Sequence, residues 1–131
     1  MDHALHGAAA VWTGRTLGAL VVLLLLADGL VNLLAPELAS KAMAVTGFPM
    51  ELSRPLGVLI LVCAVLYAIP QTSVLGAILV TGFLGGAICA HFRLGSLLSP
   101  PQVVSLLIGL ATWASLCLRL GAVQALLPII R

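Results

Sequence analysis

Charged residues are scarce in this sequence, which has six Lys and Arg and four Asp and Glu, or 8% of its 131 residues. Soluble domains carry about 25% charged residues, so this chain has too few charges to cover a surface that faces water. Its basic residues form no run, which excludes the basic patch that holds a nucleic-acid backbone. We therefore expect no nucleic acid among its partners.

Cysteines and aromatic residues are also few. Cys63, Cys89 and Cys117 lie in three separate apolar stretches without a C-x-x-C motif, so the sequence predicts neither a dithiol motif nor a metal site. Cysteines in such surroundings act as small buried hydrophobes. Aromatic residues make up 5% of the chain and are scattered along it, which argues against an aromatic cage for an organic cation.

Hydrophobic residues are abundant, at 62% of the chain. A helix needs about 20 apolar residues to cross a bilayer, and prolines such as Pro36, Pro49 and Pro70 mark the ends of apolar segments because proline breaks helices. The sequence predicts an all-α, integral membrane four-helix bundle in one domain (1–131), with the lipid bilayer as its surroundings. The predicted spans are 16–35, 53–69, 73–92 and 100–120.

The connections between the spans carry further signals. Residues 70–72 alone join the second span to the third, which predicts an antiparallel hairpin. Ser99, Pro100 and Gln102 form the pattern of a capping box with proline at the first helical position, and Gly121 is placed to cap the end of that helix. Residues 37–48 are too short and polar to span, and they predict a short interfacial helix over the end of the bundle away from the termini.

A stripe of small residues predicts where helices pack. Gly82, Gly86 and Ala90 recur every four residues in the third span, and Gly14 and Gly18 form a weaker version in the first. In a bilayer, helices associate by close approach at such small residues. We expect the stripe at Gly82, Gly86 and Ala90 to pack within the bundle, with a homodimer face as the alternative.

Asp28 is the most informative polar residue, because it lies at membrane depth in the first span. An ionised carboxylate there costs roughly 2.5–3.5 kcal/mol on insertion scales, so it should be paired, protonated or facing water. Asn32 lies one turn further along on the same face. At a rise of 1.5 Å per residue, Asp28 lies about 18 Å from the start of the first span and His91 about 27 Å from the start of the third.

These depths place five polar residues in the half of the bundle away from the termini. The candidate ligand-binding cluster consists of Asp28, Asn32, Arg54, His91 and Arg93. A structural reading competes with this hypothesis, since arginines at helix ends reach the interface by snorkelling and Asp28 would then pair with Arg54, Arg93 or His91. No complete catalytic constellation is present, so we assign no catalytic residue.

The basic residues give little information on orientation. Four spans put both termini on one side, and the positive-inside rule counts three residues on each side. We favour cytoplasmic termini, because Arg15 precedes the first apolar segment and this segment is not cleaved. It is too long for a signal peptide and lacks the small-residue cleavage site. The terminal side carries Arg15, Arg119 and Arg131, and the opposite side carries Lys41, Arg54 and Arg93.

The hairpin and the third span resemble a known family. The segments VLYAIPQT (65–72), LGAIL (75–79), TGFLGGA (81–87) and HFRLG (91–95) look like the hallmark stretch of the DoxX-like membrane proteins. The Asp28-Gly29 pair is similar to that family's acidic position in the first helix. The resemblance implies a multi-pass, four-helix protein of the bacterial inner membrane, in a group associated with quinone-linked sulfur oxidation and membrane oxidoreductase complexes.

The chain departs from the family pattern at three positions. Relatives often have lysine where Asn32 stands, glutamate where Ile60 stands and a basic residue where Gln71 stands. Loss of a cation and an anion together resembles removal of one ion pair, which can be nearly neutral for stability. The sequence therefore lacks the glutamate that an activity of such relatives would use at position 60.

Three functions compete on this basis. The leading hypothesis is a non-catalytic accessory subunit of a membrane complex, with a protein partner and no cofactor of its own. The alternative is a quinone-linked oxidoreductase component, in which His91 or Arg93 donates a hydrogen bond to a quinone carbonyl and Asp28 handles the proton. The third is a small proton-coupled transporter built on the single carboxylate in the first span.

Overall fold

The fold was analysed in a computed structural model that describes residues 2–95 and 97–120. All of the regular secondary structure in these residues is helical. Gly121, the expected cap, and Arg131, one of the arginines counted for orientation, lie outside the described residues. The elements are α1 (Asp2–Leu34), α2 (Pro36–Thr46), a 3₁₀ turn (Met50–Leu52), α3 (Ser53–Ala68), α4 (Ser73–Arg93) and α5 (Pro100–Arg119).

The four long helices form a ring. Helix α1 packs on α3 and on α5, and α4 packs on the same two helices. Residues 69–72 turn the chain between α3 and α4, as the predicted hairpin requires. Gly76 allows α4 to approach α3 closely beside this turn, because a Cβ at that position would overlap the backbone of Tyr67.

Helix α1 is longer than the predicted span, since it begins at residue 2 rather than 16. The apolar pattern marks the part of a helix that crosses lipid. It does not mark where the helix itself begins, because the alanines at 8–10 favour helix strongly without being part of the long apolar run. The helix ends where predicted, before Pro36, which starts α2 as an N1 proline.

The start of α5 confirms the predicted capping box. The side-chain oxygen Oε1 of Gln102 accepts hydrogen bonds from the backbone N–H of Ser99 at 3.0 Å and from its hydroxyl at 3.1 Å. The amide of Gln102 also donates to the carbonyl of Ile88 at 3.3 Å, which ties α5 to α4. Further along, the indole of Trp113 donates to the hydroxyl of Thr81 at 2.8 Å.

Close packing of α1 on α5 depends on Gly14 and Gly18, as their spacing predicted. A Cβ at Gly18 would lie 2.7 Å from Oγ of Ser115, and that hydroxyl donates to the carbonyl of Gly14 at 2.7 Å. Nearby in the core, Tyr67 is almost fully buried and its hydroxyl donates to the carbonyl of Thr112 at 3.0 Å. Small residues thus bring the backbones together, and the buried hydroxyls find backbone acceptors.

The outer surface of the bundle is apolar, and large side chains such as Leu23, Ile78 and Leu107 are more than half exposed. A soluble protein of this size does not expose such surface around its whole circumference. Within the described residues, four helices are long and apolar enough to cross a membrane. They cover Gly7–Leu34, Met50–Ala68, Ser73–Arg93 and Pro100–Arg119. The fold is the helical membrane bundle that the sequence predicts.

Candidate functional site

Asp28 and Asn32 are fixed on one face of α1 near its end. The amide of Asn32 donates to the backbone carbonyl of Asp28 at 2.8 Å and to carboxylate Oδ1 of Asp28 at 3.3 Å. Ser53, fully buried at the start of α3, donates its hydroxyl to the carbonyl of Asn32 at 2.8 Å. These bonds orient the amide towards the carboxylate and leave oxygen Oδ2 of Asp28 without a hydrogen bond to any described residue.

His91 lies in the last turns of α4. Its ring nitrogen Nδ1 is 2.9 Å from the carbonyl of Ala87. Because a carbonyl only accepts, this bond assigns the proton to Nδ1, and in the neutral ring Nε2 is then an acceptor. Nε2 has no hydrogen bond to a described residue. His91 and Asp28 therefore both offer acceptor atoms.

Helix α2 lies over this end of the bundle, as the sequence predicts. Gly47 caps its end, with a φ of 74°, the left-handed conformation that glycine adopts without strain. The guanidinium of Arg93 donates through Nη2 to the carbonyl of Thr46 at 3.2 Å. This bond joins the last turn of α2 to the end of α4, and the turn at Gly47 brings Phe48 back towards the bundle.

A cavity of about 470 Å³ lies between these elements. Its wall is mostly apolar, with Asp28 and Asn32 contributed by α1 and His91 by α4. Ile60, which is 2% exposed, and Leu56 form the part contributed by α3. The other lining residues are Val31, Leu38, Ala39, Met43, Thr46, Phe48, Gly82, Phe83, Gly86, Ala87 and Ala90.

The predicted cluster is assembled only in part. Asp28, Asn32 and His91 line the cavity, and Arg93 lies beside it, bonded to α2. Arg54 is exposed in the first turn of α3 and does not line the cavity. Within the described residues the carboxylate of Asp28 makes no ion pair with Arg54, Arg93 or His91, and its one side-chain partner is Asn32.

The expectation that Gly82 and Gly86 pack within the bundle is also wrong. Both are exposed, and a Cβ at either would meet no described atom within 4 Å. With Ala90 they line the open side of the cavity instead. The four-residue spacing reports that small residues share a helix face, but it does not report whether a neighbouring helix of the same chain covers that face.

The individual residues by which α2 and the turn after it line the cavity were not predicted. Met43 and Phe48 line the cavity, although the sequence indicated only that residues 37–48 lie over this end. The available sequence signal was the i, i+4, i+7 spacing of Ala39, Met43 and Thr46. All three are buried, so this spacing marks the inner face of α2. Asn32 and Ile60, two of the three positions that depart from the family pattern, line the same cavity. Gln71 lies in the turn at the opposite end.

The described residues contain no group of three His, Cys, Asp or Glu side chains that could hold a metal ion. Cys63 is buried and Cys89 is exposed, and neither lines the cavity. Asp28 and His91 can accept hydrogen bonds from a ligand whose body is apolar.

Comparison with known proteins gives one match. The model of the DoxX-like family matches residues 16–115, a range that includes α2, α3, α4 and all of the cavity residues. No curated protein matches the chain, and no solved structure matches it.

Proposed function

The chain belongs to the DoxX-like family of membrane proteins, and we propose that it acts as a non-catalytic accessory subunit of a membrane complex. The observation that supports this is the uncovered glycine face of α4. Gly82, Gly85 and Gly86 are exposed at membrane depth with no described atom near the position of a Cβ. A transmembrane helix of a partner can approach such a face closely, and it would also close the open side of the cavity.

Affinity purification from native membranes in mild detergent tests this proposal. We expect the wild-type chain to elute with a membrane protein in fixed proportion, and Gly86→Leu to lose it because leucine fills the face. Ala114→Leu is the matched control, since Ala114 is a small exposed residue of α5 away from the cavity. A wild-type chain that purifies from its native membrane as a lone, monodisperse species would contradict the proposal.

A second candidate is a quinone-linked component, and the cavity favours it. Its volume and apolar wall suit a substituted ring at membrane depth, and its polar atoms lie at the α1 and α4 walls. Because Nδ1 of His91 donates to Ala87, a neutral His91 accepts a hydrogen bond from a quinol hydroxyl more readily than it donates to a quinone carbonyl. Asp28 would accept from the second hydroxyl. A bound quinone supplies reversible two-electron, two-proton chemistry.

Native mass spectrometry with added ubiquinol and ubiquinone tests this second candidate. We expect the chain to retain the quinol more strongly than the quinone, and His91→Ala to abolish the difference. Cys89→Ala is the control, because Cys89 lies on the same helix two residues away but outside the cavity. Equal, weak retention of both probes by wild type and His91→Ala would remove the candidate.

The proposed location is the bacterial inner membrane with both termini in the cytoplasm. Arg15 supports this orientation, because it directly precedes the first apolar run and a cation beside the first span is retained on the cytoplasmic side. Labelling of an added cysteine near residue 7 by a membrane-impermeant reagent tests it. We expect labelling only after the cells are opened, and labelling in intact spheroplasts would contradict the orientation.

A further inference from the structure

A second cavity lies at the terminal end of the bundle. It has a volume of about 390 Å³ and is formed by α1, the end of α3 and the end of α5. Two arginines, Arg15 and Arg119, line it together with Tyr67. The remaining lining residues are Gly18, Ala19, Val22, Leu23 and Ala68. None of these residues belongs to the cavity that contains Asp28 and His91.

Arg119 is held in place by packing rather than by polar bonds. Its guanidinium carbon lies 5.8 Å from the centre of the Tyr67 ring, a cation–π distance. A Cβ at Gly18 would lie 3.6 Å from the same carbon, so the guanidinium rests against the glycine face of α1. The side chain is thus fixed between α1 and α3 at the mouth of the cavity.

One donor of Arg119, its Nε, is left without an acceptor in the part of the chain that the structure describes. This Nε is buried, and no described carboxylate forms an ion pair with the guanidinium. A guanidinium carries five N–H donors, and leaving buried donors unbonded is unfavourable. The geometry therefore calls for an acceptor from outside the described chain.

The acidic side chains that the structure describes lie too far away to be that acceptor. Asp28 is ten residues beyond Gly18 on α1, about 15 Å further along the helix. Glu37 and Glu51 lie beyond Asp28, over the opposite end of the bundle. The two arginines thus form a cationic end with no counterion among the described side chains.

The rest of the cavity wall is apolar and leads towards the bilayer centre. Arg15 lies at the start of the first apolar run, and Leu23 is eight residues deeper, about 12 Å along α1. Ala19 and Val22 lie between these levels. An occupant must therefore carry an anion at the interface and a hydrocarbon chain beneath it. The planar guanidinium of arginine can donate two parallel hydrogen bonds to two oxygens of a phosphate.

We propose that this cavity binds an anionic phospholipid, with its phosphate on Arg119 and Arg15 and an acyl chain against Val22 and Leu23. Arg119, pre-positioned on the Tyr67 ring, supplies the directional contact. Arg15 is exposed and rests on Trp12, with its guanidinium carbon 5.4 Å from the ring centre, and it contributes charge at the mouth. The site is separate from the proposed accessory role and does not depend on it.

Native mass spectrometry of the full chain in detergent, titrated with phosphatidylglycerol or with phosphatidylcholine of the same acyl chains, tests the proposal. We expect preferential retention of phosphatidylglycerol. Arg119→Gln should weaken that binding about tenfold, as loss of a charged hydrogen bond does, and Arg119→Lys should weaken it less. Arg54→Gln, which removes an exposed arginine at the other end, should bind as wild type does.

The variant Arg15→Gln separates loss of lipid binding from loss of folding, because Arg15 is exposed and its loss leaves the α1–α5 contact intact. It should also lower phosphatidylglycerol retention while the helical circular dichroism stays unchanged. Equal binding of the two lipids by the wild-type chain would overturn the proposal, and so would unchanged selectivity in both Arg119→Gln and Arg15→Gln. Displacement of the lipid by excess inorganic phosphate alone would show a free-anion site and overturn the lipid assignment.

Discussion

Restoring the charges that relatives often carry at positions 32 and 60 gives a direct test of the cavity. Ile60 is 2% exposed in the cavity wall, so the carboxylate of Ile60→Glu would be buried without a partner. An uncompensated buried charge costs about 3–5 kcal/mol in the free energy of unfolding. We expect Ile60→Glu alone to destabilise the bundle by this amount.

The second substitution should restore much of this loss. In Asn32→Lys the ammonium replaces the amide as donor to Asp28, and Ser53 keeps its bond to the backbone carbonyl of residue 32. We expect the single variant to lie within about 1 kcal/mol of wild type. Because residues 32 and 60 line the same cavity, the double variant should recover at least about 2 kcal/mol of the loss.

Equilibrium unfolding in mixed detergent and dodecyl sulfate micelles, followed by far-ultraviolet circular dichroism, measures the four free energies of this cycle. Val62→Glu is the matched control, because Val62 is exposed on the outer face of α3 and Asn32→Lys should not rescue it. A coupling energy below about 0.5 kcal/mol between positions 32 and 60 would refute the reasoning.

Three further predictions concern the packing around the two cavities. Gly18→Ala should destabilise by about 1–3 kcal/mol because its methyl overlaps Ser115, whereas Gly82→Ala should not lower the unfolding free energy, because its methyl meets no described atom. A larger loss of stability at Gly82 than at Gly18 would contradict the structure. Arg93→Gln removes the bond that ties α2 to α4, and amide hydrogen exchange should accelerate in α2 while α3 is unaffected. Tyr67→Phe removes a buried hydroxyl bonded to α5 and should cost about 0.5–1.5 kcal/mol in the same unfolding assay.

Much of the fold followed from local sequence signals. Proline positions and apolar length located the four spans, because both report constraints that the bilayer imposes on each helix separately. The capping box at Ser99 and Gln102 was equally local, since its hydrogen bonds join residues three apart. The beginning of α1 was not predicted, because a helix that projects beyond the apolar run has no hydropathy signal.

The candidate site was predicted less completely, for a physical reason. Depth along a helix follows from residue number, so Asp28 and His91 could be placed at the same end. Rotation of each helix about its axis depends on neighbours that a single sequence does not reveal. Gly82 and Gly86 were therefore expected at an internal contact but line the cavity, and Arg54 was expected in the cluster but faces outwards.

Arg119 is a site residue that the sequence did not single out. From sequence it was only a cation near a helix end, for which snorkelling is sufficient. Its placement over Tyr67 depends on the close approach of α1 at Gly14 and Gly18. That approach joins residues about a hundred positions apart, and only the assembled bundle brings them together.

The central claim is that α1 and α4 hold residues 28 and 91 at the same end of one cavity. Double electron–electron resonance between spin labels at these two positions, with the native cysteines replaced by alanine, tests it most directly. Labels at 28 and 71 serve as the reference, since residue 71 lies in the turn before α4, and α4 begins 18 residues, about 27 Å along its axis, before residue 91. The distance between 28 and 91 should be clearly the shorter of the two. If it equals or exceeds the distance between 28 and 71, the cavity described here does not exist.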